Sequence, residues 1–475
     1  MMMPFLQTVV VVVAITSRLT QAADNLPKIC SLCACVPTST EVDCRNRDLR
    51  VIPDLSQEKI NYTWTLDLSN NMIKSITKFP DLPKLVELHI QKNYPTSIEN
   101  AAFANLENLK TLNLRDNQLT HDDIREGVFE GKYSQNASFP LAIEVLDLSY
   151  NNFSLLPRNC FSHLSVLKKL ILAHNPLGDI SHATSMAINE LHKLNELDLS
   201  QTGIDRLPHG FLTDLLDLQV LILAGNNIQR VPEEINYGRS LIHLNLNANP
   251  IEIVQEGDFT NKSAGLRRLD MSAMPKLKTI GRHAFSNLNS LEVLHLSNCP
   301  NLFVIDNEAF YQLDPKETLK EVHLQANRLS SLNENMLSWM NIKYVDIQDN
   351  PWNCDCNLKW VAEKLLPHLE ENPGTTLSLL CTDPLEHRGE TLSKVLEDEN
   401  GFQCPYAHSF AKRGMYGPLV LSTIVVGIIL LVTGSVLFAY ALYRRTRTGA
   451  RFGESVKYRR AHDEDDESFP NTIHS

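Results

Sequence analysis

The sequence predicts an α/β solenoid, with a parallel β-sheet along its concave side and irregular or 3-10 turns along its convex side. Disulfides close both ends, and one transmembrane helix follows. Three observations predict it. Residues 218–259 spell one unit twice at a spacing of 23 residues: Leu218, Leu221, Leu223, Asn226, Ile228 and Val231 recur as Leu241, Leu244, Leu246, Asn249, Ile251 and Val254. Cysteines cluster before and after the repeated region, as Cys30, Cys33, Cys35 and Cys44 and then as Cys354, Cys356, Cys381 and Cys404. A 26-residue run without charge, residues 418–443, follows the second cluster.

The repeated unit has a physical reading. Leu221 and Leu223 stand two apart, the period of a strand with one buried face. The Asn three residues later falls where the chain leaves the strand and backbone groups lose their partners. An Asn amide both donates and accepts, so stacked Asn side chains can satisfy neighbouring turns in succession. One coil cannot bury its own leucines, and stability requires several to stack. The pattern L-x-x-L-x-L-x-x-N is the leucine-rich repeat. It has twelve starts, the first at Thr63 and the last at Ile342, most of them 22 to 28 residues apart. Leu109 and Ile143 are 34 apart, and a polar loop around GKYSQNASF fills the difference. A small residue followed by Phe closes the outer side of many coils, at Phe103, Phe129, Phe161, Phe211, Phe259, Phe285 and Phe310, predicting a spine of rings under the convex surface. At Met274 and Cys299 the Asn is replaced, with Pro275 and Pro300 following, so those two turns are expected to be distorted.

In chain order, residues 1–22 read as a secretory signal, with an apolar core over 9–15 that is too short to span a bilayer and small Ala22 before the cleavage point. Residues 23–62 form the first cap. A signal segment upstream implies an oxidising compartment, where four clustered cysteines form disulfides rather than a C-x-x-C-x-C metal site. Spacing alone leaves three pairings open in each cluster. Residues 63–349 hold the repeats and 350–405 the second cap, which opens NPWNCDC. Cys160 and Cys299 remain over and read as buried small hydrophobes. Residues 406–417 are a linker. Residues 418–443 exceed the roughly 20 residues that a membrane span needs. Arg444, Arg445, Arg447 and Arg451 follow at once and set the C-terminal side in the cytoplasm, making a type I protein. Thr423, Gly427, Gly434 and Ala441 lie on one stripe of that helix, which makes a homodimer through it a candidate. The tail, residues 444–475, runs from basic to acidic, buries no core, and has no room for a folded signalling domain.

The net charge of the chain is −12, and the outer part, with 36 basic and 50 acidic residues, stands near −14, so nucleic acid is not expected as a partner. No phosphate loop, G-x-S-x-G or H-E-x-x-H motif occurs, and no catalytic role or cofactor is expected. Four sequons, at Asn61, Asn136, Asn152 and Asn261, all lie on the side that the signal would send outward; Asn136, in the long loop, is the foremost glycan site.

Repeats flanked by C-x2-C-x-C-x8-C on one side and by NPWxCDC with two later cysteines on the other resemble the extracellular leucine-rich repeat proteins with cysteine-rich amino- and carboxy-terminal flanks. That superfamily includes Slit, trophoblast glycoprotein, Capricious and Tartan. The resemblance covers roughly residues 28–405. It implies a horseshoe and the pairs Cys30–Cys35, Cys33–Cys44, Cys354–Cys381 and Cys356–Cys404. It also implies binding of an extracellular or cell-surface protein, in adhesion or as a receptor. The alternatives are a non-signalling co-receptor or decoy for a soluble ligand, and innate immune recognition of microbial glycans or lipids.

The concave sheet would turn positions 3, 5 and 7 of each repeat outward, because the leucines at 4 and 6 point in. Position 5 is mostly polar. His295 and His323 are neighbours there, with His243 nearby at position 3, but neither a cysteine nor a third ligand accompanies them, so they read as surface histidines and no metal site is expected. One cluster breaks the polar rule: Ile171, Ala173, Val220, Ile222 and Ala224. These are the expected apolar centre of a protein-binding site, with Lys169, Glu196 and His243 as its rim.

Overall fold

A computed structural model describes residues 28–35, 40–58, 60–134, 137–313, 318–370, 378–398, 401–402, 404 and 417–447. The expected signal segment, Asn136, most of the linker and most of the tail lie outside them. The chain divides into two units after Gln403.

The first unit is built on one sheet of fourteen strands. Its first two strands, Ala34–Cys35 and Glu41–Asp43, are antiparallel, and from Glu41–Asp43 to Tyr344–Asp346 all neighbours are parallel. The registers align like with like. Leu197 pairs with Leu221, Leu221 with Leu244, and Leu244 with Leu269, each fully buried. One face of every strand therefore enters the core, and the apolar area removed from water by stacking, at about 25 cal/mol per Å², is what no single coil provides. The strand between Cys35 and Cys44, Glu41–Asp43, joins this sheet, and Val42 and Cys44 are buried at that end.

Two devices turn the chain after each strand. The residue before the ladder Asn adopts a left-handed conformation in turn after turn, from Asn70 and Lys92 through Tyr150, His174 and Ala248 to Asp349. Gly225 supplies the same conformation where a Cβ would meet Gln201 at 1.9 Å. The Asn side chain then satisfies the bend. Asn93 Nδ2 donates to Leu68 O and Ile90 O, both at 3.0 Å, while its Oδ1 accepts from Ile73 N at 3.0 Å. Thr202 stands in for one Asn, its hydroxyl donating to Leu199 O at 2.7 Å.

The distortion expected at Met274 and Cys299 does not occur. Ala273 and Asn298 keep the left-handed conformation, and Ala273 N and Asn298 N make the same backbone bonds as other turns, at 2.8 and 3.0 Å. Neighbours carry the ladder across the gap: Asn327 Oδ1 accepts from Cys299 N at 2.8 Å, and Cys299 Sγ lies 3.5 Å from Met271 O.

All seven expected spine phenylalanines are buried. Phe79 joins them, giving a run Phe79–Phe103–Phe129–Phe161 with centroids 6.0–6.1 Å apart and a second run Phe259–Phe285–Phe310. Between the runs the convex side departs from irregular and 3-10 structure. A helix, His182–Asn189, is capped by Ser181, which accepts from Thr184 N, and buries Ala187 and Ile188. Further on, Ile253–Val254, Thr279–Ile280 and Val304–Ile305 pair as a small parallel sheet, because β-branched pairs recur there at nearly the repeat spacing. The long loop contains a hairpin pairing Tyr133–Ser134 with Ala137–Ser138.

Disulfides join Cys30 to Cys35, Cys33 to Cys44 and Cys354 to Cys381, and Cys356 and Cys404 are also disulfide-bonded. Cys160 and Cys299 are buried free thiols. Over the second end Trp339 and Trp360 pack 5.9 Å apart, and their indole N–H groups donate to Asn333 O and Leu332 O. The second unit contains a 31-residue helix, Gly417–Arg447, of which Val426–Arg444 is long and apolar enough to cross a membrane.

Candidate functional site

The concave face is a grid whose rows are set by strand register. Across one row run Lys169, Glu196, Val220, His243 and Arg268; across the next run Ile171, Asp198, Ile222, Asn245 and Asp270. Strands repeat every 4.8 Å or so, which holds these side chains at fixed spacing without help from loops.

The structure brings most of the expected binding residues together. Ile171, Val220, Ile222 and Ala224 are half-buried and reach solvent, and Lys169 and Glu196 form an ion pair at 2.7 Å. Ala173 is a correction: it is buried, whereas Ala224, at the same position after a strand that also ends two residues earlier, stays half-buried, so packing by the neighbouring coils and not the end of the strand covers it. The apolar residues flank the coil of Asp198 and Ser200, as the order of the repeats implies. Asp198 stands between Ile171 and Ile222, its Oδ1 accepting from Ser200 N at 2.9 Å and Ser200 Oγ at 2.6 Å.

His243 belongs to a different cluster, which repeat counting did not reveal. Asp270, almost fully buried, is its hub. Its Oδ2 lies 2.7 Å from His243 Nε2 and 3.0 Å from Arg268 Nε, and its Oδ1 lies 2.9 Å from His295 Nδ1. Burial alone would raise this carboxyl, but bonds from His243 and Arg268 outweigh it and hold the group below the usual carboxylate range. The row continues to His323, whose ring meets His295 edge-on at 4.3 Å and Tyr344 at 4.9 Å. Burial pushes both His295 and His323 below the usual imidazole value. The sequence signal was present in the register: His243, Asp270 and His295 occupy outward positions on successive strands.

Elsewhere several outward charges pair. Arg45 bonds Asp43 at 2.9 Å and approaches Asp67 at 3.5 Å. Glu144 is gripped by Lys110 and Lys168, whose hydrogen bonds pull its carboxyl down to about 2. Arg115 covers Tyr150, which stacks on His174 at 3.9 Å. The three described sequon asparagines, Asn61, Asn152 and Asn261, are exposed.

The sequence matches the family described as leucine rich repeat over residues 83–131, 138–177 and 192–251, and the BspA type leucine rich repeat region over 229–354. The chain belongs to the leucine-rich repeat proteins. Among these it is similar to Tsukushi of Gallus gallus, 27% identical over 316 residues that cover 66% of this chain and 73% of Tsukushi. It is also similar to keratocan of Mus musculus, 26% identical over 290 residues, covering 58% and 77%. In three dimensions a leucine-rich repeat protein of Leptospira interrogans shares the fold, with a TM-score of 0.50 at 23% identity, covering 69% of this chain and 82% of that one. This leucine-rich repeat protein thus carries repeats between two disulfide-bonded caps.

Proposed function

We propose that the chain is a glycosylated, single-pass type I cell-surface protein whose concave face binds an extracellular or membrane protein, as an adhesion molecule or a receptor. The observation that carries this reading is the grid itself. It sets Ile171, Val220 and Ile222, apolar and partly open to solvent, among paired charges on a scaffold of fixed register. Binding energy between proteins concentrates in a few such anchors ringed by polar contacts. The exposed sequons, the disulfide-bonded caps and the apolar helix Val426–Arg444 all suit an outward-facing, anchored chain.

The test begins with proximity labelling on live cells to name surface partners, followed by affinity measurement on each. Ile222→Asp and Ile171→Asp are expected to leave secretion and unfolding nearly unchanged, since both side chains face solvent. Each should weaken a true partner at least tenfold, about 1.4 kcal/mol. If both variants fold and bind as the parent does, the concave centre is not the site.

A further inference from the structure

We propose that His295, Glu321 and His323 form a binding site for a divalent transition-metal ion of the zinc class on the concave face. The three come from two adjacent strands whose register places His295 beside His323 and Val293 beside Glu321. Their donor atoms all lie within 4.8 Å of one another. Two imidazoles and one carboxylate are the donor set of an open zinc site, in which water takes the fourth position. In the sequence alone the histidine pair has no evident third ligand. Glu321 supplies one, from the same strand as His323 and two residues before it.

Three further features support the assignment. The first is a carboxylate behind a ligand. Asp270 Oδ1 is buried without a hydrogen bond, yet only 2.9 Å from His295 Nδ1. A turn of the imidazole that sets its Nδ1–H on Oδ1 satisfies that oxygen and leaves Nε2 for the ion, the carboxylate–histidine–metal arrangement that orients ligands and strengthens their basicity. Arg268 Nη2 lies 3.3 Å from the same nitrogen, but its Nε already bonds Asp270 at 3.0 Å, so the guanidinium keeps a carboxylate partner when Nδ1 carries the proton. The second feature is charge: the carboxylates of Asp270 and Glu321, with Asp346 beside His323 in the strand register, gather round the two rings. The third is freedom to close. Tetrahedral bonds of about 2.0–2.1 Å place donors roughly 3.4 Å apart. The exposed Glu321 side chain, 3.9 Å from His323 Nε2, is the one that moves inward.

The site needs no protein partner, so its test is independent of the binding function above. The full chain, purified in detergent without an affinity tag and stripped with chelator, is titrated with Co²⁺ and read by visible absorption, then challenged with Zn²⁺. The expected result is one equivalent with the intense bands of four-coordinate cobalt, displaced by Zn²⁺. His295→Ala and His323→Ala should each lower affinity at least tenfold with metal-free unfolding unchanged. Should either variant misfold, Glu321→Gln, on an exposed side chain, should give the same loss. Asp270 is a positioning residue: Asp270→Asn should weaken binding while keeping one equivalent and the four-coordinate spectrum. A parent protein that takes up no cobalt in four-coordinate form, or ligand variants that bind as the parent does, would overturn the proposal.

Discussion

Asn249→Ala tests whether the asparagine ladder, rather than leucine packing alone, holds the turns. Asn249 is fully buried; its Nδ2 donates to Leu246 O and Leu223 O, each at 2.9 Å, and its Oδ1 accepts from Ile228 N at 3.2 Å. Leu223 O keeps a second amide, from Asn226 at 2.9 Å. In the next turn Met274 occupies the ladder position and has no amide to offer Leu246 O. The substitution therefore removes the side chain that bonds two buried backbone groups, Leu246 O and Ile228 N. Each such group costs about 1–3 kcal/mol, so the total is about 2–6 kcal/mol. Thr202→Ala is the control at an equivalent position. Leu199 O retains Asn226 Nδ2 at 2.9 Å, and Thr202 N retains Asn226 Oδ1 at 3.0 Å, so what is lost is one hydroxyl proton, shared between Leu199 O at 2.7 Å and Asn226 Oδ1 at 3.1 Å, about 1 kcal/mol. Urea unfolding of the purified chain, followed by circular dichroism, gives both values from the shift in midpoint. If Thr202→Ala destabilises as much as Asn249→Ala, the count of orphaned groups is not what sets the cost.

Three more outcomes are expected. Phe129→Ala opens the first ring run between Phe103 and Phe161, 6.0 and 6.1 Å away, and should cost about 3–5 kcal/mol in the same assay; a loss below about 1 kcal/mol would show that the spine is dispensable. Burial pushes the Cys160 thiol far up and the Cys299 thiol up to about 11, so the folded chain should take no alkylating label and the denatured, unreduced chain two; a labelled thiol in the folded protein contradicts this. Asn→Gln at the exposed Asn61, Asn152 and Asn261 should each remove one glycan step in gel mobility after expression in secretory cells, and three unchanged mobilities would remove the support for an outward-facing chain.

The sequence by itself determined the repeat, and with it most of the fold. Leucines at positions 4 and 6 point inward wherever a strand has period two, so the core, the parallel sheet and the residues facing solvent followed from spacing alone. Cysteine clusters located the caps, although the choice among pairings came from resemblance, because loop spacing does not order sulfur atoms. The tertiary structure decided whatever depends on neighbouring coils. It buried Ala173 while leaving Ala224, at the same repeat position, half-buried, and it kept the turns at Met274 and Cys299 regular, since backbone bonds and Asn327 bridge them. It made the convex side partly helical and partly β, where local caps and β-branched pairs compete with the irregular coil. Above all it joined His243, Arg268 and His295 on Asp270 and set Glu321 beside His295 and His323. These residues are 25 or more apart from one coil to the next, and only the register of parallel strands, which pairs each coil with its neighbour at the same position, turns such distance along the chain into contact across the face.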